Sequence, residues 1–225
     1  MSEDISETCK KLLERIQSST AKISPQEIAS RREQSDRIAR GQAIAELRSQ
    51  WNAPKRHVAH SQLDHGGEWG KKLAALKGLI GSGFLTALVG GRGPGKTQMA
   101  VELMRHVTSQ LRSAYYLTAT EFFIRVKTTY RADGRKSESD VLKELGRPRL
   151  LVIDEVGKRA ETPWENNLLF ELINKRYDDL NDTVLIDNNE PAEFFNAIGP
   201  SLSSRINETG GVIHFNWQSF RERNQ

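Results

Sequence analysis

The sequence predicts an α/β domain: a parallel, doubly wound five-stranded sheet with helices on both faces, preceded by a small helical region. Three observations carry this. Short apolar runs recur at residues 84–89, 114–118, 149–154, 183–187 and 211–217. Stretches with apolar residues at helical spacing separate them, and parallel pairing needs such crossovers. The first run leads into a glycine-rich loop and then a helix, while the third ends in two acids, which sets a polar site at the carboxyl ends of the strands.

Taken in order, the elements justify themselves by pattern. After the loop, a helix over 96–111 turns Met99, Val101, Leu103, Met104 and Val107 inward. The second run is followed by an amphipathic helix over 119–129, the charged turn Arg131-Ala132-Asp133-Gly134-Arg135-Lys136, and a short helix ending near Leu145. The third run, bounded by Pro148 and Gly157, is apolar throughout, as a strand covered on both faces must be. A helix over 164–180, helical pieces around Phe194 and Leu202, and the last two strands complete the domain.

The loop reads Gly90-Gly91-Arg92-Gly93-Pro94-Gly95-Lys96-Thr97, with Gln98 opening the helix. The spacing Gly-x-x-x-x-Gly-Lys-Thr lets backbone N–H groups converge on phosphate oxygens, with Lys96 as a point charge and the Thr97 hydroxyl as a magnesium ligand. This predicts a nucleoside triphosphate site. At the end of Leu150-Leu151-Val152-Ile153-Asp154-Glu155, Asp154 can reach the same magnesium. Glu155 is then free to orient or deprotonate an attacking water, a role credited with about 10²- to 10⁴-fold. Together the two motifs argue for an ATPase rather than a passive binder.

Length and composition bound the rest. The 225 residues hold one domain of about 160 residues plus an appendage. Thirty-three basic against 29 acidic residues give +4, which permits nucleic-acid binding without establishing it. The one cysteine, Cys9, excludes an internal disulfide and a cysteine-rich zinc module. It stands at helical spacing from Ile5, Leu12, Leu13 and Ile16, as a packing residue would. No stretch approaches 18 apolar residues and the N-terminus is acidic and polar, so a soluble cytoplasmic protein with no membrane partner is expected.

Residues 1–60 are expected to form helices with little core of their own, with a linker reaching to about residue 69 and the nucleotide-binding domain spanning 70–225. Ser24-Pro25-Gln26-Glu27 has the form of a helix start. The helix it opens is rich in arginine (Arg31, Arg32, Arg37, Arg40, Arg48) and poor in apolar residues, which suits either a solvated mixed-charge helix or a docking surface. Asn52-Ala53-Pro54 is expected to break it, with linker from Lys55 to Gly70. Two further polar features stay open on residues alone. Asn188 or Asn189, past the fourth strand, could hold an attacking water or simply form a turn; Arg205, in Ser203-Ser204-Arg205-Ile206, could be catalytic or a surface charge.

Two segments carry a family resemblance. Val212-Ile213-His214-Phe215-Asn216-Trp217-Gln218-Ser219-Phe220-Arg221 is similar to the Phe-Asn-Trp-x-Ser-Tyr-Arg ending of DnaC-type helicase loaders, and Asp154-Glu155-Val156-Gly157 to their Asp-Glu-Ile-Gly strand end. The chain thus resembles the DnaC/IstB-like family of AAA+ ATPases, well over residues 70–225 and loosely before them.

The resemblance implies a P-loop AAA+ fold with ATP/ADP and Mg2+ as ligands. It implies that Arg205 is a finger completing a neighbouring subunit's site and that Asn188 is the sensor amide, with Asn189 as the shifted alternative. It also implies that the helix over 121–130 lines a channel for single-stranded DNA. Phe122, Phe123, Arg125, Lys127, Tyr130 and Arg131 mix aromatics with positive charge, and Lys127, Tyr130 and Arg131 are the expected contacts. The bland reading packs Phe122, Phe123 and Val126 on the sheet. Only about eight residues follow the last strand, so no C-terminal lid domain is expected. The function implied is ATP-dependent loading of a replicative DNA helicase, bound through the N-terminal helices, by a homo-oligomer on single-stranded DNA. The alternatives are an IstB-like transposition helper ATPase and a nucleotide-stabilised adaptor without catalysis.

Overall fold

The computed structural model describes residues 10–11, 24–60, 67–130 and 136–220. The chain divides into two compact units, Met1–Ala43 and Ile44–Gln225. The expected packing around Cys9, turn residues 131–135 and Arg221 lie outside the described residues.

The first unit contains most of helix α1 (Pro25–Ser49), which runs into the second. Ser24 and Glu27 cap it reciprocally: the Glu27 N–H donates to Ser24 Oγ at 3.1 Å and the Ser24 N–H to Glu27 Oε2 at 2.9 Å. Ile28 and Ile38 are exposed, as the sparse apolar pattern implies.

In the second unit the elements are α2 (Lys55–Ala59), α3 (Gly67–Leu79), β1 (Leu85–Val89), α4 (Lys96–Ser109), β2 (Ala114–Thr118), α5 (Ala119–Thr129), α6 (Glu138–Gly146), β3 (Leu150–Asp154), α7 (Pro163–Asp178), β4 (Asp182–Ile186), α8 (Pro191–Ile198), α9 (Pro200–Thr209) and β5 (Val212–His214). The five strands form one parallel sheet in the order β2-β3-β4-β1-β5. Alternate side chains feed two cores. Leu85, Ala87, Leu151, Ile153 and Leu185 pack under α5 to α9, while Leu88, Leu150, Val152, Val184 and Ile186 pack under α3 and α4. Covered on both faces, β1, β3 and β4 are buried at every position.

Asn52-Ala53-Pro54 separates α1 from α2 as expected, but the region expected as linker is different. Trp51 is 2% exposed within the core beneath α4, and α2 forms where linker was expected. The cause is the sheet order. It leaves β2 at an edge, and residues 51–52 cover that edge: Trp51 O accepts the Tyr116 N–H at 2.8 Å, and Asn52 Nδ2 donates to Tyr116 O at 3.1 Å. The last strand is also shorter than expected, ending at His214 because the chain then turns over the glycine-rich loop. Arg176, fully buried, ties the opposite end of the sheet by donating to Thr183 Oγ1 and to the carbonyls of Leu145, Gly146, Pro148 and Asp182.

Candidate nucleotide site

The loop between β1 and α4 can take its shape only with glycine at two crowded points. Gly90 has φ 119°, and a Cβ there would stand 2.6 Å from the Phe215 carbonyl oxygen. Gly95 has φ 94°, and its Cβ would meet the rings of Phe220 and Trp69 at 2.9 Å. The loop is held from outside by the segment after β5 and by α3. Trp217 Nε1 donates to Pro94 O at 3.0 Å, the Phe220 N–H to Gly93 O at 3.1 Å, and Trp69 Nε1 to Gly95 O at 3.2 Å.

Lys96 folds back inside the loop. Its ammonium donates to Gly90 O at 2.5 Å, Gly91 O at 2.6 Å and Asn188 Oδ1 at 3.1 Å. Burial lowers its pKa to about 8, against the opposing pull of Asp154 and Asp187. Of the two candidate amides, Asn188 therefore faces the loop. Asn189 extends the main-chain pairing instead, its carbonyl accepting the Gly90 N–H at 3.0 Å.

Asp154 is 6% exposed, and burial raises its pKa while three donors oppose the shift. Oδ2 accepts from Tyr116 Oη at 2.6 Å and Thr97 Oγ1 at 3.0 Å, and Oδ1 from the Glu155 N–H at 2.7 Å. Glu155 sits in the left-handed region, φ 58° and ψ 39°, a costly conformation for a non-glycine residue, and its carboxylate pairs with Lys158.

These groups line one cavity of about 760 Å³, a size that suits a small-molecule ligand. Arg92, Gly93, Gly95, Lys96, Thr97, Gln98, Asp154, Glu155 and Asn188 all reach it. Sequence reasoning missed Tyr116, Lys158, Phe220, and Pro54, Arg56, His57 and His60 around α2. One signal was available: a tyrosine hydroxyl within a buried strand needs a partner. The α2 wall is fixed by Gln98, whose Oε1 meets His57 Nδ1 at 3.1 Å and whose Nε2 donates to His57 O at 3.2 Å. The residues fit a triphosphate with magnesium. The glycine cradle admits only backbone, Lys96 supplies the cation, and Asp154 with Thr97 offers the one-carboxylate-plus-hydroxyl set that magnesium combines with substrate phosphates.

The other expected residues lie elsewhere. Arg205, on α9, donates to Asn174 Oδ1 at 2.5 Å and lies 5.3 Å from the ring centroids of both Phe170 and Tyr177 on α7. On α5, Phe122, Phe123 and Val126 are buried in the core, as the bland reading had it. Lys127 and Tyr130 remain exposed around Trp164: Lys127 Nζ stands 5.1 Å from its ring, and Tyr130 Oη accepts from its Nε1 at 3.3 Å while donating to Glu138. Arg131 lies outside the described residues. Among the described residues no helix is long and apolar enough to cross a membrane.

Strand order, the loop after β1, the acid pair after β3 and the amide after β4 define a P-loop domain of the AAA+ class. The chain belongs to the IstB-like ATP-binding protein family, whose profile matches residues 26–224. It is similar to the replicative helicase loader DnaC of Escherichia coli K12, 27% identical over 135 residues covering 60% of this chain and 55% of the relative. It is also 26% identical over 136 residues to the uncharacterized protein YdaV of the same strain, covering 60% and 54%. The chain spans about half the length of the curated relatives it matches. A crystal structure of the DnaC helicase loader shares the fold at TM-score 0.58 and 20% identity, covering 68% of this chain and 93% of the other. The replication initiator DnaA bound to AMPPCP and single-stranded DNA does so at 0.58 and 14%, covering 69% and 48%.

Proposed function

We propose that this chain is an ATPase that loads a replicative DNA helicase, with ATP binding locking a homo-oligomer on single-stranded DNA and hydrolysis releasing it. The loop amides and Lys96 bind the phosphates, and Asn188 and Glu155 hold and activate the attacking water. Thr97 and Asp154 hold magnesium, which when bound offsets charge on the phosphate oxygens. Arg205 completes a neighbour's site; the N-terminal helices bind the helicase; and Lys127, Tyr130 and Arg131 contact DNA.

The observation that carries this reading is the division of the site. Lys96, Thr97, Asp154, Glu155 and Asn188 converge on one cavity, whereas Arg205 is seated on α7 among Phe170, Asn174 and Tyr177 and does not line it. A phosphate site with its acid pair in place and Arg205 seated outside it suits a switch closed by assembly. Glu155→Gln should trap an ATP-bound assembly on single-stranded DNA, read by sedimentation. A wild type that hydrolyses no ATP, with a variant that assembles no more than it does, would leave only a nucleotide-stabilised adaptor.

The family match favours a second reading, an IstB-like transposition helper. Binding to duplex DNA in preference to single strands, measured by fluorescence anisotropy, would select it over helicase loading.

A further inference from the structure

Asp154 is held by three donors, of which the phosphate-loop pattern accounts for Thr97 and main-chain geometry for the Glu155 N–H. The third, Tyr116, belongs to neither. It stands on β2, in register with Val152 of β3. Strand alternation therefore puts its ring on the same sheet face as Val152 and Asp154, the face covered by α4, which carries Thr97. From there the hydroxyl reaches Asp154 Oδ2 at 2.6 Å, the oxygen that also accepts from Thr97.

Tyr116 is itself firmly placed. It is 5% exposed, and both its backbone polar groups are engaged from outside the sheet, the N–H by Trp51 O and the carbonyl by Asn52 Nδ2. Its side-chain partner is an acceptor-only carboxylate oxygen, so the hydroxyl is the donor.

We infer that Tyr116 is a positioning residue for the magnesium carboxylate, its hydroxyl fixing the Asp154 oxygen that Thr97 also faces. The inference rests on the magnesium-nucleotide reading of the cavity. Were Thr97 to hold the metal through its oxygen, Tyr116 would be the donor committed to Oδ2 alone. A carboxylate in a buried wall, oriented in advance, receives the metal without first losing rotamer freedom.

The test compares the wild type with Tyr116→Phe in titrations with a fluorescent ATP analogue, in EDTA and across a magnesium series. In EDTA the two proteins should bind the analogue within about twofold of each other, because no phosphate contact changes. The magnesium concentration giving half of the affinity gain should rise about ten- to hundredfold in the variant, the usual cost of removing a ligand's supporting partner. A general loss of packing would weaken both conditions alike and overturn the inference. So would an unchanged or lowered magnesium requirement. If the variant is less stable, the magnesium-dependent increment in its melting temperature with the analogue present reads the same quantity. A wild type that binds no analogue in either condition would refute the nucleotide reading itself, and this inference with it.

Discussion

ATP binding should weaken steeply above pH 8, and the cause is one buried ammonium. Burial draws Lys96 down from 10.5 to about 8. The free protein then carries the charge in about nine-tenths of molecules at pH 7, half at pH 8 and a tenth at pH 9. Phosphate oxyanions favour the charged form, so the pKa is higher in the complex than in the free site. Affinity is therefore full below the free pKa and falls as pH rises through it. The apparent Kd scales inversely with the competent fraction and should rise about tenfold from pH 7 to pH 9, about 1.4 kcal/mol. A lysine left at 10.5 would stay more than about nine-tenths charged throughout and produce no such change. Calorimetric titration of Glu155→Gln, in which turnover should be suppressed, with ATP in buffers of different ionisation heat measures both consequences. At pH 8 binding should take up about half a proton. An affinity constant from pH 7 to pH 9 with no proton uptake would refute the reasoning.

Other perturbations have equally definite outcomes. Gly90→Ala drives a Cβ to 2.6 Å from the Phe215 carbonyl oxygen at φ 119°; it should cost about 1–3 kcal/mol in urea unfolding and abolish detectable binding of a fluorescent ATP analogue. Arg205→Ala should leave analogue binding by dilute protein unchanged but reduce ATP hydrolysis by the DNA-bound assembly about 10³-fold, followed by phosphate release. Arg176→Met strands the carbonyls of Leu145, Pro148 and Asp182, while Gly146 O keeps Asn181 Nδ2 and Thr183 Oγ1 still donates to Asn181 O; a fall of about 3–5 kcal/mol in unfolding free energy, with native-like circular dichroism at low temperature, is expected.

The parts of the molecule legible in the sequence are those that local pattern determines. The extents of β2 and α5 match their apolar periodicity residue for residue, and the phosphate loop announces itself because its spacing and its glycines answer one steric demand. The walls of the site were not legible, because they depend on which strand lies at the edge. Trp51 and Asn52 look like a helix terminus until β2 is known to need covering, and α2 looks like linker until Gln98 is seen to bind His57. Tyr116 shows the same limit. Its hydroxyl acquires meaning only through the pairing of β2 with β3, which brings Asp154 within reach.

The brace on the phosphate loop sets an order of events during synthesis. Pro94 and the indole of Trp217 that holds it are 123 residues apart in the chain. At about 5–20 residues per second, a ribosome that has just made the loop needs roughly another 6–25 s to make its brace. Through that interval Trp69 is already made, but the loop lacks the Phe215 carbonyl, the Trp217 indole and the Phe220 ring. A nascent chain should therefore remain unresponsive to ATP until nearly all of the second unit has been translated.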